Sequence, residues 1–347
     1  MAATSEVSAA GIVVVGAGSW GTTIARLLCA KGPTTLWARS PELAELIRTT
    51  RENPRYLPGV GLSEALHATS TLADAVSHAA VVLVAVPSHG FRGVLELMAP
   101  VVPPHAAVIS LAKGIEAGTN RRMSEIVAEV LPGRARGVLS GPNLSHEVAA
   151  GQPAATVVAC EDEAIARHVQ ALLHCPTFRV YTGTDVIGCE VAGASKNVIA
   201  IAAGACDGLG FGENTKAVLV TRGLAEQGRL GRALGGHALT FGGLAGVGDL
   251  VATCTSTQSR NRSVGFELGR GRGLDEVLSG MRMVAEGVRT AGPIVELAHA
   301  HGVEMPIAEQ VAALVAGHTS PADAVAALME RPPRPEWDDA LVREVTR

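Results

Sequence analysis

Residues Gly11 to Gly21 read Gly-Ile-Val-Val-Val-Gly-Ala-Gly-Ser-Trp-Gly. A short β-branched run leads into Gly-x-Gly-x-x-Gly, and from Thr22 to Ala30 the apolar residues take a helical spacing. In a chain with 40 glycines a glycine triplet alone carries little weight. Its context carries more, because strand, tight turn and helix come in the order a dinucleotide-binding motif requires. Gly16 would permit the turn, Gly18 would let a pyrophosphate approach the backbone, and Gly21 would let helix and strand pack closely, with the anion at the helix N-terminus. The alternative is a plain strand-turn-helix.

Lys31-Gly32 closes that helix, and Thr34 to Ala38 reads as a second parallel strand ending at Arg39-Ser40. At such a strand end an Asp or Glu serves the ribose hydroxyls of NAD, whereas an arginine suits a 2′-phosphate. Arg39 therefore favours NADP over NAD, although a solvent-facing arginine stacked on adenine would accept NAD as well. Val81 to Val86, stopped by Pro87-Ser88, and Ala106 to Leu111 continue the series; Ala154 to Ala159 and Phe178 to Tyr181 are expected to complete the sheet. Repeated βα units predict an α/β fold of Rossmann type, a doubly wound parallel sheet covered on both faces. Ligands of such sheets lie beyond the carboxyl ends of the strands. Lys113 and Gly141 sit just past two of those ends, although a turn glycine is the commoner explanation of Gly141 taken alone.

After about residue 188 the strand signals stop and the pattern becomes helical. Residues 11–188 are thus expected to form a dinucleotide-binding domain and residues 189–335 an all-α domain for substrate and catalysis, with the active site between them. Thr215 to Leu234 and Val288 to His299 carry helical apolar spacing, Gly-rich breaks separate such segments, and Ser320-Pro321 starts a further helix. Right at the boundary, Glu190 to Cys206 is small or apolar on every face apart from Glu190, Ser195, Lys196 and Asn197, the composition of a helix buried all round. A lysine inside such a helix is costly unless something pairs with it or uses it. The bland alternative is a stem lying on apolar surface with its head in water. Of the 29 basic side chains only four are lysines: Lys31, Lys113, Lys196 and Lys216. Where a plain cation serves, this chain uses arginine, so the retained lysines should be enriched in positions that need an amine able to give and take a proton. Lys196 and Lys113 become candidates for chemistry.

A second informative stretch runs from Gly246 to Arg262, Gly-Val-Gly-Asp-Leu-Val-Ala-Thr-Cys-Thr-Ser-Thr-Gln-Ser-Arg-Asn-Arg. Asp249 opens an apolar helical turn and suits an N-cap as well as a functional carboxylate. At Ser259 a cap residue is followed by Arg260, Asn261 and Arg262, which places cations in a first helical turn where the macrodipole disfavours them unless an anion is bound. Free N–H groups, a hydroxyl, an amide and a guanidinium together make a phosphate site.

The bulk properties exclude several classes. At 347 residues, 47% hydrophobic and 18% charged, the chain is an ordinary globular one with room for two cores. A net charge of −4 gives no pull toward nucleic acid or anionic membrane. The six cysteines contain no Cys-x-x-Cys pair, so neither zinc nor a redox dithiol is expected, and a reduced cytoplasmic compartment follows most simply. No apolar run nears the ~20 residues of a membrane span, and Met1 to Ala10 reads as a disordered tail.

Together these segments resemble the NAD(P)-dependent glycerol-3-phosphate dehydrogenases of bacterial type. The resemblance rests on Gly-Ala-Gly-Ser-Trp-Gly-Thr at Gly16 to Thr22, Tyr-Leu-Pro-Gly at Tyr56 to Gly59, Ala-Val-Pro-Ser at Ala85 to Ser88 and Ala-Lys-Gly-Ile-Glu at Ala112 to Glu116. It continues through Ser-Gly-Pro at Ser140 to Pro142, Lys196-Asn197, Asp249, and Gln-Ser-Arg-Asn-Arg at Gln258 to Arg262. It implies that Lys196 is the acid/base residue and that Lys113, Gly141, Lys196, Asp249, Ser259, Arg260 and Asn261 hold the substrate. Asn143 belongs to the same set, at a position where the family usually has Ser or Thr. Ser19, Trp20, Arg39, Lys113, Ser145, Arg260, Val284 and Glu286 would face NADP or NAD, beside the glycine turn. The implied reaction is hydride transfer between the nicotinamide and C2 of dihydroxyacetone phosphate, giving sn-glycerol 3-phosphate without a metal. Lys113 would lower the proton affinity of Lys196 and Asp249 would oppose that shift. A cytoplasmic homodimer feeding phospholipid synthesis is also implied. Two rivals stay open: a related dehydrogenase of a carboxylate substrate, and a non-catalytic NAD(P) sensor.

Overall fold

Ten strands form in chain order: β1 (Ile12–Val15), β2 (Thr34–Trp37), β3 (Glu52–Asn53), β4 (Leu57–Gly61), β5 (Leu66–Thr69), β6 (Val81–Val84), β7 (Ala107–Ser110), β8 (Arg136–Ser140), β9 (Ala154–Cys160) and β10 (Phe178–Gly183). A computed structural model provides this description for residues 11–281, 283–333 and 335–336. The tail Met1–Ala10 and residues 337–347 lie outside the described residues. Eight strands make one sheet in the order β10-β9-β8-β7-β6-β1-β2-β5, and β3 and β4 pair separately. The β-branched runs of β1 and β6 are buried on both faces, as a sheet covered by helices on each side demands. The order reverses at β1, whose neighbours are β2 and β6, so a crevice opens beyond the carboxyl end of β1.

One edge of the sheet departs from the all-parallel expectation. β9 pairs with β8 in antiparallel register, Ser140 opposite Val157, and β10 then runs parallel to β9. The link from residue 141 to 153 contains only the short helix Ser145–Ala149. A parallel return must climb back along the sheet before the next strand begins; here β9 starts beside the carboxyl end of β8, with Ser140 opposite Val157, so the chain turns back along it.

Past β10 the described chain is helical. The helix Val186–Gly208 starts at Asp185, whose side chain accepts from the Gly188 amide, and it is buried along almost its whole length. Small residues let a second helix, Arg260–Gly269, cross it at backbone distance: a Cβ built on Gly204 would lie 2.0 Å from the Arg262 carbonyl oxygen, and one on Gly265 1.9 Å from that of Ile201. Any side chain at either glycine would force the helices apart and lose close-packed contacts on both. Two stretches, Val186–Gly208 and Ala238–Thr255, are long and apolar enough to cross a membrane, which corrects the expectation that no run approaches that length. The first is 89% buried inside the protein and so serves as the core helix. The second is interrupted by non-helical backbone at Gly246.

Candidate active site

The glycine turn lies at the switch point of the sheet. Gly16 has φ +117°, and a Cβ there would come within 2.8 Å of the Ala85 carbonyl oxygen. One on Gly21 would meet the Gly16 carbonyl oxygen at 1.9 Å, whereas Gly18 faces open space. The helix Ser19–Leu28 therefore begins with a bare backbone N-terminus, without a side-chain cap or an acidic residue in its first turn. Such an end accepts an anion, so the turn fits the pyrophosphate of a dinucleotide. The Ser145 hydroxyl lies 3.5 Å from that of Ser19 at the same rim. Trp20 sets its ring edge-on to Phe178 at 6.2 Å between centroids, and its buried indole N–H has no hydrogen-bond partner among the described residues. Arg39 follows β2, exposed, and reaches none of the others through a hydrogen bond. With Arg289 it holds His89 toward the neutral form, an effect smaller than that of the ring's burial.

Across the crevice three charged side chains from distant segments meet. Lys196 is 6% exposed and Asp249 2%. The Lys196 ammonium donates to Asp249 Oδ1 at 2.7 Å and to Thr253 Oγ1 at 2.7 Å. Lys113 donates to the other carboxylate oxygen, Oδ2, at 2.6 Å and to the Gly141 carbonyl at 2.9 Å. One carboxylate thus serves two ammonium groups. Burial pulls the Lys196 pKa down to about 8; the Asp249 charge opposes this and the Lys113 charge adds to it. Asp249 occupies the first turn of the helix Asp249–Thr255, whose N-cap is Gly248. The carboxylate is therefore spent on the two lysines and not on capping.

The Asn261 side chain is joined to this centre. It donates to Asn197 Oδ1 at 2.8 Å, and Asn197 in turn donates to the Lys113 carbonyl at 3.0 Å. The Gly287 amide donates to Asn261 Oδ1 at 2.9 Å. Ser259 is the N-cap of the Arg260–Gly269 helix, its hydroxyl accepting from the Arg262 amide. Arg260 is exposed and donates to the Val284 carbonyl at 2.7 Å. Nearby, Glu286 accepts from the Ser88 amide at 3.0 Å; burial raises its pKa, while that hydrogen bond and then the charges of Arg260 and Lys113 lower it. Arg262 needs no bound anion to explain it, because it pairs with Asp207 at 2.6 Å. That corrects part of the cation argument for this helix start. Gly141, at φ +147°, brings its backbone against Thr156. Asn143 spends its amide N–H on Thr156 at 3.0 Å, which leaves a buried Oδ1 unpaired.

Sequence reasoning missed Thr253 and the linking role of Asn197. Thr253 was findable: it lies four residues after Asp249, on the same face of one helix, and its hydroxyl donates to the Asp249 carbonyl at 2.6 Å. Among the described residues no group of three or more His, Cys, Asp or Glu side chains could hold a metal ion.

Two family models cover most of the chain, the N-terminal part of NAD-dependent glycerol-3-phosphate dehydrogenase over residues 11–166 and its C-terminal part over residues 185–326. The chain belongs to this family. A glycerol-3-phosphate dehydrogenase [NAD(P)+] of Corynebacterium glutamicum is 52% identical over 330 residues, covering 94% of this chain and 99% of the relative. One from Sphingopyxis alaskensis is 51% identical over 317 residues, covering 91% and 95%. The crystal structure of glycerol-3-phosphate dehydrogenase from Coxiella burnetii superposes with a TM-score of 0.90 at 38% identity, over 93% of this chain and 99% of that one. The doubly wound sheet followed by a helical half is thus the architecture of glycerol-3-phosphate dehydrogenases.

Proposed function

We infer that the chain catalyses the reversible reduction of dihydroxyacetone phosphate to sn-glycerol 3-phosphate with NADPH or NADH. The observation that carries this reading is the buried Lys196 ammonium, sharing one carboxylate with Lys113 beside a helix start that offers Arg260 and Asn261. Hydride addition at C2 turns the ketone oxygen into an alkoxide; the reduced nicotinamide, when bound, supplies that hydride. Lys196 has three N–H directions and spends two on Asp249 and Thr253. The third is left for the substrate oxygen, to which Lys196 gives its proton. Lys113 adds positive charge where the oxyanion grows, and Asp249 orients both amines. Arg260, Asn261 and the backbone N–H groups after Ser259 hold the phosphate. Asn143 Oδ1 offers an acceptor to a substrate hydroxyl, and Gly141 fixes Lys113 through its carbonyl.

For the cofactor, Gly16, Gly18 and Gly21 with Ser19 cradle the pyrophosphate, and Arg39 takes a 2′-phosphate, which favours NADP. Trp20, Ser145, Val284 and Glu286 complete that wall. A cytoplasmic homodimer that supplies glycerophospholipid synthesis belongs to the same proposal. A substrate panel read by NAD(P)H absorbance tests the reaction. Dihydroxyacetone phosphate should be turned over far faster than unphosphorylated dihydroxyacetone or any 2-oxo acid; equal or faster reduction of a 2-oxo acid would replace this reading with a carboxylate-substrate one.

A further inference from the structure

Outside the reacting centre, a buried ion pair joins the two halves of the molecule. Glu190, 6% exposed and six residues before Lys196 on the same helix, accepts three hydrogen bonds. They come from the Ser124 amide at 2.7 Å, the Ser124 hydroxyl at 2.6 Å and Arg122 Nη1 at 2.8 Å. Burial raises the Glu190 pKa, and the Arg122 charge is the main force against it. A lone ionised carboxylate would not persist there; three donors make it possible.

Arg122 closes the loop that carries Lys113. Ile115 and Arg122 form an antiparallel bridge, and the Glu116 amide donates to the Arg121 carbonyl at 3.0 Å. The Lys196 helix touches this loop at two further points. Gly193 lies against the Lys113 stem and leaves room for Ser140, since a Cβ built there would touch Lys113 Cγ at 3.4 Å and crowd Ser140 Oγ at 3.2 Å. Asn197 holds the Lys113 carbonyl. Residues 190, 193 and 197 fall at i, i+3 and i+7, on one face of the helix. A carboxylate, a gap and an amide thus meet one loop at three heights.

We propose that Glu190, Gly193 and Asn197 form a docking stripe that fixes Lys113 relative to Lys196, which makes Glu190 and Arg122 positioning residues for the proton transfer. The proposal rests on the reading of Lys196 and Lys113 given above. Its energetic logic is that Asp249 must bridge two amines at once. A shift of the Lys113 loop by a fraction of an ångström lengthens one of the two ion pairs and changes the charge felt by Lys196. Asp249 and Cys254 from one helix and Lys113 from its loop are the charged or titratable groups acting on that amine.

The test uses the full-length enzyme with Glu190→Gln, Gly193→Ala and Lys113→Met, each followed by thermal melting and by pH profiles of kcat and KM for dihydroxyacetone phosphate. Glu190→Gln keeps an acceptor for the Ser124 amide but loses the charge that holds Arg122. Turnover should fall about tenfold to a hundredfold, the scale of a small misplacement of reacting groups. The alkaline midpoint of the reduction should also rise, because the Lys113 charge moves off Lys196. Gly193→Ala removes a helix-disfavoured glycine yet presses on Ser140 Oγ, next to the Gly141 whose carbonyl holds Lys113, and sets a methyl against the Lys113 stem, so it should lower turnover without lowering the melting temperature. It keeps the question open to measurement should Glu190→Gln fail to fold. If the folded variants at residues 190 and 193 keep wild-type turnover and midpoint while Lys113→Met does not, the stripe is structural only and the proposal is wrong. If Lys113→Met also behaves as wild type, the roles given to the two lysines fail first.

Discussion

Lys196 and Lys216 sit on consecutive helices, Val186–Gly208 and Glu213–Ala233, and each has a carboxylate within ion-pair distance. Their chemistry is opposite. Lys216 is partly buried and has two acids, Asp207 at 2.8 Å, whose other oxygen holds Arg262, and Glu213 at 3.3 Å; the hydrogen bond to Asp207 is the main reason its pKa is raised. Lys196 is buried and has half of one carboxylate, because Lys113 holds the other oxygen, and its pKa falls to about 8. An ion pair by itself holds an amine charged. A shared counter-ion does not separate the two, since Asp207 also serves Arg262; burial does, with the Lys113 charge adding to it, and it leaves Lys196 poised to release a proton near neutral pH.

The largest effect expected from this contrast is at Lys196. Lys196→Arg keeps the charge but cannot deliver a proton near neutral pH, so turnover should drop on the order of 10²–10⁴-fold with cofactor binding retained in a fluorescence titration. Retention of about a third of wild-type turnover, far above that general-acid loss, would make Lys196 an electrostatic anchor only. Next in size, Arg260→Ala should raise the KM for dihydroxyacetone phosphate by about tenfold to a hundredfold, the weight of a hydrogen bond to a charged group. Reduction of unphosphorylated dihydroxyacetone, which never uses that contact, should hardly change, and equal damage to both substrates would remove Arg260 from the phosphate site. A smaller change is expected at the cofactor. Arg39→Asp should move the ratio of specificity constants toward NADH, since a carboxylate repels a 2′-phosphate and accepts from ribose hydroxyls; an unchanged ratio would show that Arg39 does not read the ribose. Smallest of all, Lys216→Arg keeps a cation beside Asp207 and Glu213, where no proton transfer is asked of it. Steady-state constants and melting temperature should both stay at wild-type values, and a loss of turnover there would break the comparison between the two lysines.

The parts of this site that were legible in sequence are those whose logic is local. Gly16, Gly18 and Gly21 announce a turn because strand and helix flank them, and Lys196 stands out because its own helix is otherwise small and apolar. Long-range pairing was not legible. The Asp249 carboxylate finds its partners 53 and 136 positions away, and nothing near it in the chain distinguishes that use from a helix cap. Arg262 misled for the same reason, since its counter-ion Asp207 lies 55 positions earlier. The scarcity of lysine pointed to Lys196 and Lys113, but the same argument would have included exposed Lys31 and the paired Lys216. The reversed edge of the sheet depends on how the link from 141 to 153 travels, which strand propensity does not encode.

The pH dependence of both directions of the reaction tests the central claim most directly. Reduction of dihydroxyacetone phosphate needs Lys196 protonated, so kcat should be level below and fall as pH rises through about 8. Oxidation of sn-glycerol 3-phosphate needs the neutral amine, so its kcat should rise through the same ionisation. In Lys113→Met both midpoints should move up together, because a neighbouring positive charge has been removed. Profiles flat across that range in both directions, or a Lys113→Met enzyme whose midpoints stay where they were, would contradict proton transfer by a buried lysine tuned by its neighbour.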